Sequence, residues 1–420
     1  MIKRSILPEL EKHLQSDQMT ILIGPRQVGK TYLMNVMRQK LIGSGKTTIW
    51  FNLDNQEDKE KFSSQTALLS YINLVAGSKK ACVFIDEIQR KDNAGLFLKG
   101  IFDMGTRHKF IISGSGSLEL KANIPESMAG RKRLFTICPV SFEEFVNHKT
   151  RYAYEKKLTD YFTIEKNSAA RLLSEYMVFG GYPRVILASS AQEKAQEMQE
   201  IYRSYIDRDI RDLLNLEKTD AFTNLLKVIA SQIGSLTNVT ELASTIGLDQ
   251  KTISKYLSYL EQTFIITKVT PFYRNIRKEI TKAPIYYFTD TGLRNWLLGL
   301  FGLIDIPPLL RGHIFENVVF NTLKARTHIT SGQIHFWRTK DNAEVDFVLG
   351  APLSPTPVEV KYQAIETPAL TRSYHNFLSQ YHPTHGYIIH LGKRLTAKKS
   401  QSTINFLPFW QLFTKPAVLY

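Results

Sequence analysis

Along the first third of the chain, short apolar runs alternate with segments of helical spacing. Ile21-Leu22-Ile23, residues 48–54, Ala81-Cys82-Val83-Phe84-Ile85 and Lys109-Phe110-Ile111-Ile112 read as strands. Runs with no polar interruption fit parallel strands covered on both faces. Between them, Leu7, Leu10 and Leu14 recur at helical spacing, as do residues 32–41 and the polar, then apolar-periodic stretch 56–77. Strands alternating with helices predict a parallel, helix-covered sheet, an α/β class. Beyond it the pattern changes. Residues 146–176 are polar and charged and read as a helical connector, followed by a long helical pattern over 195–230. Thr240 to Ile246 reads as a short helix and Gly247-Leu248 as a turn. A second helix, 250–261, carries Ile253, Tyr256, Leu257 and Leu260 on one face. Strand-like segments 264–269 and 285–288 flank the basic run Arg274-Asn275-Ile276-Arg277-Lys278. Helix, turn, helix and ribbon predict a winged helix. Later come an amphipathic helix over 312–320, two strands at 343–349 and 357–362, and a packed tail from Lys393.

The first strand runs into Gly24-Pro25-Arg26-Gln27-Val28-Gly29-Lys30-Thr31 and then a helix. Strand, Gly-x-x-x-x-Gly-Lys-Thr and helix is the context of a phosphate-binding loop. Gly24 and Gly29 permit backbone conformations that turn N–H groups toward an anion, and the helix adds its positive end. Lys30 then reaches the β- and γ-phosphates of ATP, and the Thr31 hydroxyl ligates Mg²⁺. The strand 81–85 ends in Asp86-Glu87. Asp86 is placed to hold the Mg²⁺ shell and Glu87 to polarise the attacking water. Ligands of such sheets sit at the carboxyl ends of strands, so Ser113 or Ser115 is a candidate polar sensor of the γ-phosphate. The same dipeptides also mark plain turns.

These elements resemble the ATPase module of the AAA+ superfamily, in the bacterial and archaeal branch with C-terminal nuclease-like domains. The matching stretches are Gly24 to Thr31, Phe84-Ile85-Asp86-Glu87 and Ile112-Ser113-Gly114-Ser115. Ala129-Gly130-Arg131, the stretch 139–145 and Phe179-Gly180-Gly181-Tyr182-Pro183 match as well. The resemblance implies that Arg131 is a γ-phosphate sensor or arginine finger. Arg131-Lys132-Arg133 also reads as one exposed basic run. It further implies that Pro183 marks a lid, where Arg184 can serve, and that 202–210 is a lid segment; alternating charges there equally describe an exposed helix. A ring is a habit of the superfamily, and no residue here demonstrates one.

In the last module Glu359 and Lys361 share a strand face, and Asp346 lies on the neighbouring strand. With Glu316 on the preceding helix, that is equipment for metal-assisted phosphodiester hydrolysis. Order and spacing resemble the PD-(D/E)xK nucleases over roughly residues 310–395, with helix 367–381 and strand 386–390 completing the core. Val345 stands where that motif carries proline. By this reading Glu316, Asp346 and Glu359 are metal ligands and Lys361 is catalytic, in a domain that cleaves or only binds.

Charge changes the choice of partner. Net charge is +15, with 54 basic against 39 acidic residues, which favours polyanions and nucleic acid, DNA first. Gln250, Lys251, Thr252, Ser254 and Lys255 would face a groove, although winged helices also contact proteins. Apolar content of 43% and charged content of 22% fit a folded globular chain. Apolar runs are too short for a membrane span, and Pro8, Glu9 and Glu11 interrupt any signal core. Cys82 and Cys138 form no metal or disulfide pattern, so the expected location is cytoplasmic. The expected division is 1–150 ATPase core, 151–230 helical lid, 231–300 winged helix and 301–420 nuclease-like domain.

Overall fold

Five parallel strands build the N-terminal sheet: β1 (Met19–Ile23), β2 (Thr47–Asn52), β3 (Ala81–Asp86), β4 (Lys109–Ser113) and β5 (Lys132–Thr136). Their order is β2-β3-β4-β1-β5. The computed structural model describes residues 1–114, 128–206, 210, 219–273, 282–303, 305–327, 334–350 and 353–414. Ser115, Asp207 to Asp209 and the basic run Arg274 to Lys278 lie outside them.

Because side chains alternate along a strand, each central strand feeds two cores. Ile21, Val83, Ile85 and Ile112 point into one, covered by α3 (Gln56–Lys61), α4 (Gln65–Ala76) and α5 (Ala94–Asp103). The predicted helix 56–77 is thus two helices, since the Ser64 side chain accepts from Ala67 N–H and starts a second one. Leu22, Phe84 and Ile111 point to the other face, against α2 (Lys30–Gly43) and α1 (Leu7–His13). That second core continues unbroken into the rest of the chain.

The segment read as a polar connector is more buried than its composition implies. It forms α6 (Phe142–Lys149), α7 (Leu158–Ile164) and α8 (Lys166–Phe179), which bury Phe145, Phe162 and Leu172. The lid continues as α9 (Pro183–Leu187), α10 (Ala191–Ser204) and α11 (Thr219–Ser231).

Next come α12 (Val239–Ile246) and α13 (Gln250–Gln262), capped by Asn238 and Asp249, whose side chains accept from Thr240 and Thr252 N–H. The strands β6 (Ile266–Val269) and β7 (Ile285–Phe288) pair antiparallel, completing a helix-turn-helix and ribbon. α14 (Thr291–Leu297) then returns to the lid. Asn295 Nδ2 donates to the carbonyls of Met177 (2.9 Å) and Val178 (3.0 Å), satisfying the end of α8. The Asp290 carboxylate accepts from Gly181 N–H (2.6 Å) and Leu293 N–H (2.8 Å). Lid and ribbon module are thereby fastened together.

The C-terminal module opens with α15 (Pro308–Thr327) and a mixed sheet ordered β12-β13-β11-β10-β9-β8. Its strands are β8 (Ile334–Arg338), β9 (Glu344–Leu349), β10 (Thr356–Val360), β11 (His385–His390), β12 (Leu395–Lys399) and β13 (Ser402–Pro408). α16 (Arg372–Tyr381) links β10 to β11. The tail read only as a packed segment is thus a strand pair and α17 (Gln411–Thr414). Phe409 and Phe413 pack in tilted contact with Phe142 of α6 at 5.5 and 5.6 Å between centroids, joining the C-terminal module to the helices that follow β5.

Candidate nucleotide site and C-terminal acidic cluster

The loop leaving β1 is shaped by close backbone approach. Ile137 N–H donates to Ile23 O at 2.7 Å, so the exit of β5 crowds Gly24. A Cβ on Gly24 would stand 2.1 Å from Ile137 O, and its φ is +148°. Gln27 adopts φ +61° and Gly29 φ +96°. Lys30 is buried at 7% exposure, its Nζ donating to Gly24 O (2.9 Å) and Pro25 O (2.6 Å). Its ammonium therefore lies inside the loop.

Asp86, at the end of β3, is 3% exposed. Thr31 Oγ1 donates to its Oδ2 at 2.8 Å, and the Ser113 hydroxyl and Glu87 N–H donate to its Oδ1. The adjacent strands β3 and β4 and the first turn of α2 thus meet at one carboxylate. Glu87 holds a left-handed backbone (φ +57°) and takes a hydrogen bond from the Gln89 amide. Strained positions of this kind gather at functional sites. A cavity of about 850 Å³ opens over the loop. Arg26, Lys30, Thr31 and Glu87 line its floor; Pro183, Arg184 and Arg203 of the lid line its other side. Arg184 Nη1 lies 3.4 Å from Glu197 Oε2 and is largely exposed.

One loop contact had no signal in the sequence. Arg4, read as part of a leading helix over residues 1–18, precedes α1, its carbonyl accepting from Leu7 N–H at 3.1 Å, and is buried. Its Nη1 donates to Val28 O (2.9 Å), Nη2 to Cys138 O (2.6 Å), and Nε to Glu144 Oε2 (3.2 Å). A basic residue near an N-terminus reads as solvated, and only the tertiary fold brings it against the loop.

Arg131 is the main departure from expectation. Its carbonyl accepts from Met19 N–H at 3.0 Å, beside the first residue of β1, whereas the phosphate loop leaves from the last. Parallel pairing of β1 and β5 sets it level with the start of β1, about 20 Å along the strands from the loop. There its Nε pairs with Asp103 at 2.7 Å. Within one chain it is not brought to the site.

In the C-terminal module, antiparallel pairing of β9 and β10 places Asp346 beside Glu359. Lys361 Nζ lies 2.8 Å from Glu359 Oε1, while Glu359 Oε2 is buried with no hydrogen-bond partner. Asp346 Oδ2 accepts from Val360 N–H at 2.6 Å. From α15, Glu316 accepts from the Tyr287 hydroxyl of β7 and lies 3.8 Å from His313 Nδ1. Burial, then the charges of Glu359 and Glu316, push the Asp346 carboxyl well above its ordinary range. Burial likewise raises Glu359, against the pull of Lys361. Burial alone would lower the Lys361 ammonium, but Glu359 and Asp346 outweigh it and raise it. The four residues lie in one region of the module, near enough for their charges to act on one another.

The ligand set expected of Glu316, Asp346 and Glu359 is not assembled. Among the described residues, no three His, Cys, Asp or Glu side chains stand close enough to hold one ion. Each acid is turned to a partner of its own: Glu316 to Tyr287, Asp346 to Val360 N–H, Glu359 to Lys361. The orphaned Glu359 oxygen and the mutual repulsion of the acids do fit a cation between them. On α13, Gln250, Lys251, Ser254 and Lys255 are exposed and Thr252 half-buried. No helix among the described residues is long and apolar enough to cross a membrane.

Residues 16–146 match a family described as an AAA domain. Residues 170–303 and 311–412 match two families, each described as a domain of unknown function. Similar curated proteins include an uncharacterized protein of Mycobacterium tuberculosis, 26% identical over 379 residues (90% of this chain, 77% of that one). An uncharacterized protein of Haemophilus influenzae is 25% identical over 389 residues, 90% of each chain. Among solved structures, the replication initiator DnaA bound to AMPPCP and single-stranded DNA aligns at TM-score 0.31 and 15% identity, covering 62% of this chain and 90% of that one. Cdc6p from Pyrobaculum aerophilum aligns at TM-score 0.29 and 12% identity, covering 70% and 92%. The N-terminal sheet with its loop is thus the part of the chain that matches an AAA domain.

Proposed function

We propose that this chain is a cytoplasmic, DNA-associated ATPase whose nucleotide state governs a C-terminal nuclease-like domain. The observation that carries the reading is the meeting of Thr31, Asp86 and Ser113 beside a buried Lys30 under an arginine-bearing lid. ATP phosphates take the place of the Gly24 and Pro25 carbonyls as partners of the Lys30 ammonium. Thr31 and Asp86 hold Mg²⁺, which when bound supplies neutralising charge on the phosphates. Glu87 orients the attacking water, and Ser113 ties that water's surroundings to Asp86. Arg184, on the lid side of the cavity, is placed to meet charge developing on the transferred phosphoryl group; Arg131 would act only from a neighbouring chain.

The exposed face of α13 and the +15 charge support DNA as the partner. Glu316, Asp346, Glu359 and Lys361 support phosphodiester hydrolysis, with the three acids drawing together on a divalent ion and Lys361 positioning water. A second reading, a nucleotide-dependent switch acting on a protein with an inactive nuclease-like fold, is favoured by each acid's engagement with a partner of its own.

ATP turnover and cleavage of single-stranded, duplex and branched DNA and of RNA, with Mg²⁺ or Mn²⁺, test both. The expected result is turnover lost in Lys30→Ala and Glu87→Gln, and cleavage lost in Asp346→Ala and Glu359→Ala. Wild type that hydrolyses ATP but cuts nothing establishes the second reading. Wild type that neither binds nor hydrolyses ATP overturns both.

A further inference from the structure

Arg4, which also lines the cavity, touches the phosphate loop through one carbonyl. A trans peptide is planar, with its C=O and N–H on opposite sides. Val28 C=O and Gly29 N–H belong to the same peptide unit. With Val28 O held by Arg4 Nη1 at 2.9 Å, the Gly29 N–H is turned away from Arg4, and Gly29 lines the cavity. Nothing intrinsic to Gly29 would keep it so. At φ +96° and without a Cβ, it resists peptide reversal less than any other residue would. Reversal would aim a carbonyl oxygen at the phosphates in place of a donor.

We infer that Arg4 is a positioning residue of the ATP site, fixing the Val28–Gly29 peptide in its anion-binding orientation. Its guanidinium suits the task because it is a rigid fork with several donors. Nη2 reaches Cys138 O at 2.6 Å, and Nε reaches Glu144 Oε2 at 3.2 Å. Glu144 is itself immobilised by the capping box of α6, where it accepts from Ser141 N–H, and by Ser5 N–H at 2.6 Å. Three fixed acceptors on the loop, on the stretch leaving β5 and on α6 therefore define where the guanidinium sits. A lysine ammonium cannot span all three. The inference rests on the loop being the ATP site, and its test separates the two.

The full-length protein is compared with Arg4→Ala, Arg4→Lys and Glu144→Gln. A fluorescent ATP analogue gives affinity, steady-state turnover gives kcat and KM, and thermal melting gives stability. Loss of a charge-assisted hydrogen bond that aims a phosphate donor weakens ATP binding roughly ten- to hundred-fold in Arg4→Ala. The loss appears in KM, with kcat at saturation changed by less than about three-fold, since Arg4 does not touch the reacting atoms. Millimolar guanidinium restores affinity in Arg4→Ala. Glu144→Gln melts lower, having lost the same buried ion pair, yet holds ATP within about two-fold because the bond to Val28 remains.

Equal weakening in Arg4→Ala and Glu144→Gln, tracking their loss of stability and unrescued by guanidinium, overturns the inference, as does an Arg4→Ala that binds ATP like wild type. Should Arg4→Ala not fold, Arg4→Lys carries the measurement: unchanged KM there is contrary, raised KM supportive. Absence of ATP binding by wild type overturns the ATP reading and this inference with it.

Discussion

Asp290 sits at the joint between lid and ribbon, and burial pushes its carboxyl up to about 6, against the pull of backbone N–H groups from Gly181, Leu293 and Gly292. The unfolded carboxyl ionises near 3.8. Between these values the folded chain keeps a proton that the unfolded chain has released. Stability from this group is therefore full below pH 3.8, falls as pH rises through about 6, and stays lost above it. The whole step is worth about 3 kcal/mol. Asp290→Asn, which cannot ionise, loses one N–H partner but also loses the slope. Denaturant unfolding at pH 4 and pH 7 should show wild type giving up about 2–3 kcal/mol more than the variant. Parallel pH curves would sink this. The same scale shows what single residues disclose. Lys30, Thr31 and Asp86 were legible because their motif reports a backbone shape and a chain order. Arg4 was not, since its partners are main-chain carbonyls far along the chain. Arg131 was a candidate by resemblance alone, and resemblance does not say which end of a strand faces the site.

Elements were legible where burial is two-sided or caps are explicit. β3, with every residue buried, could be read as a central strand from its unbroken apolar run. α12 and α13 could be read from apolar spacing and the Gly247 turn. The strand pair β12–β13 was missed because β12 is a short edge strand, Leu-Thr-Ala-Lys-Lys, whose apolar face is only Leu395 and Ala397. Helix α13 also carries a prediction of its own. Lys251 and Lys255 are exposed on the face away from Ile253, Tyr256 and Leu257, and Lys255 lies over the Tyr259 ring at 5.6 Å. If this face meets DNA phosphates, each lysine releases about one counterion on binding. Replacing both by alanine should weaken binding on any sequence and flatten the plot of log affinity against log salt by about 2. An unchanged slope would remove α13 from the DNA surface.

At the scale of the molecule, the two candidate sites are joined by a short chain of contacts. Arg184 lines the ATP cavity, and three residues earlier Gly181 N–H binds Asp290. Two residues before Asp290, Phe288 exchanges hydrogen bonds with Asn317 of α15 at 2.9 and 2.7 Å, and its neighbour Tyr287 holds Glu316. None of this was visible in sequence, because the division at residue 230 separated a lid from a ribbon that the fold fastens together. Contiguity alone does not demonstrate coupling; a shift between two states does. Closure of the lid on ATP, pulling Gly181, would disturb Asp290 and then the ribbon, loosening Tyr287 from Glu316 and freeing that acid to join Asp346 and Glu359. Hydrogen exchange with and without a non-hydrolysable ATP analogue tests this in the full chain. The analogue should raise exchange at residues 285–290 and 313–317 in wild type, and do nothing in Lys30→Ala. Tyr287→Phe should remove the need for nucleotide, binding Mn²⁺ at least ten-fold more tightly than wild type without ATP, since Glu316 no longer has a hydroxyl to hold it. Identical exchange with and without the analogue would leave two independent sites in one chain, and the ATPase would need another output.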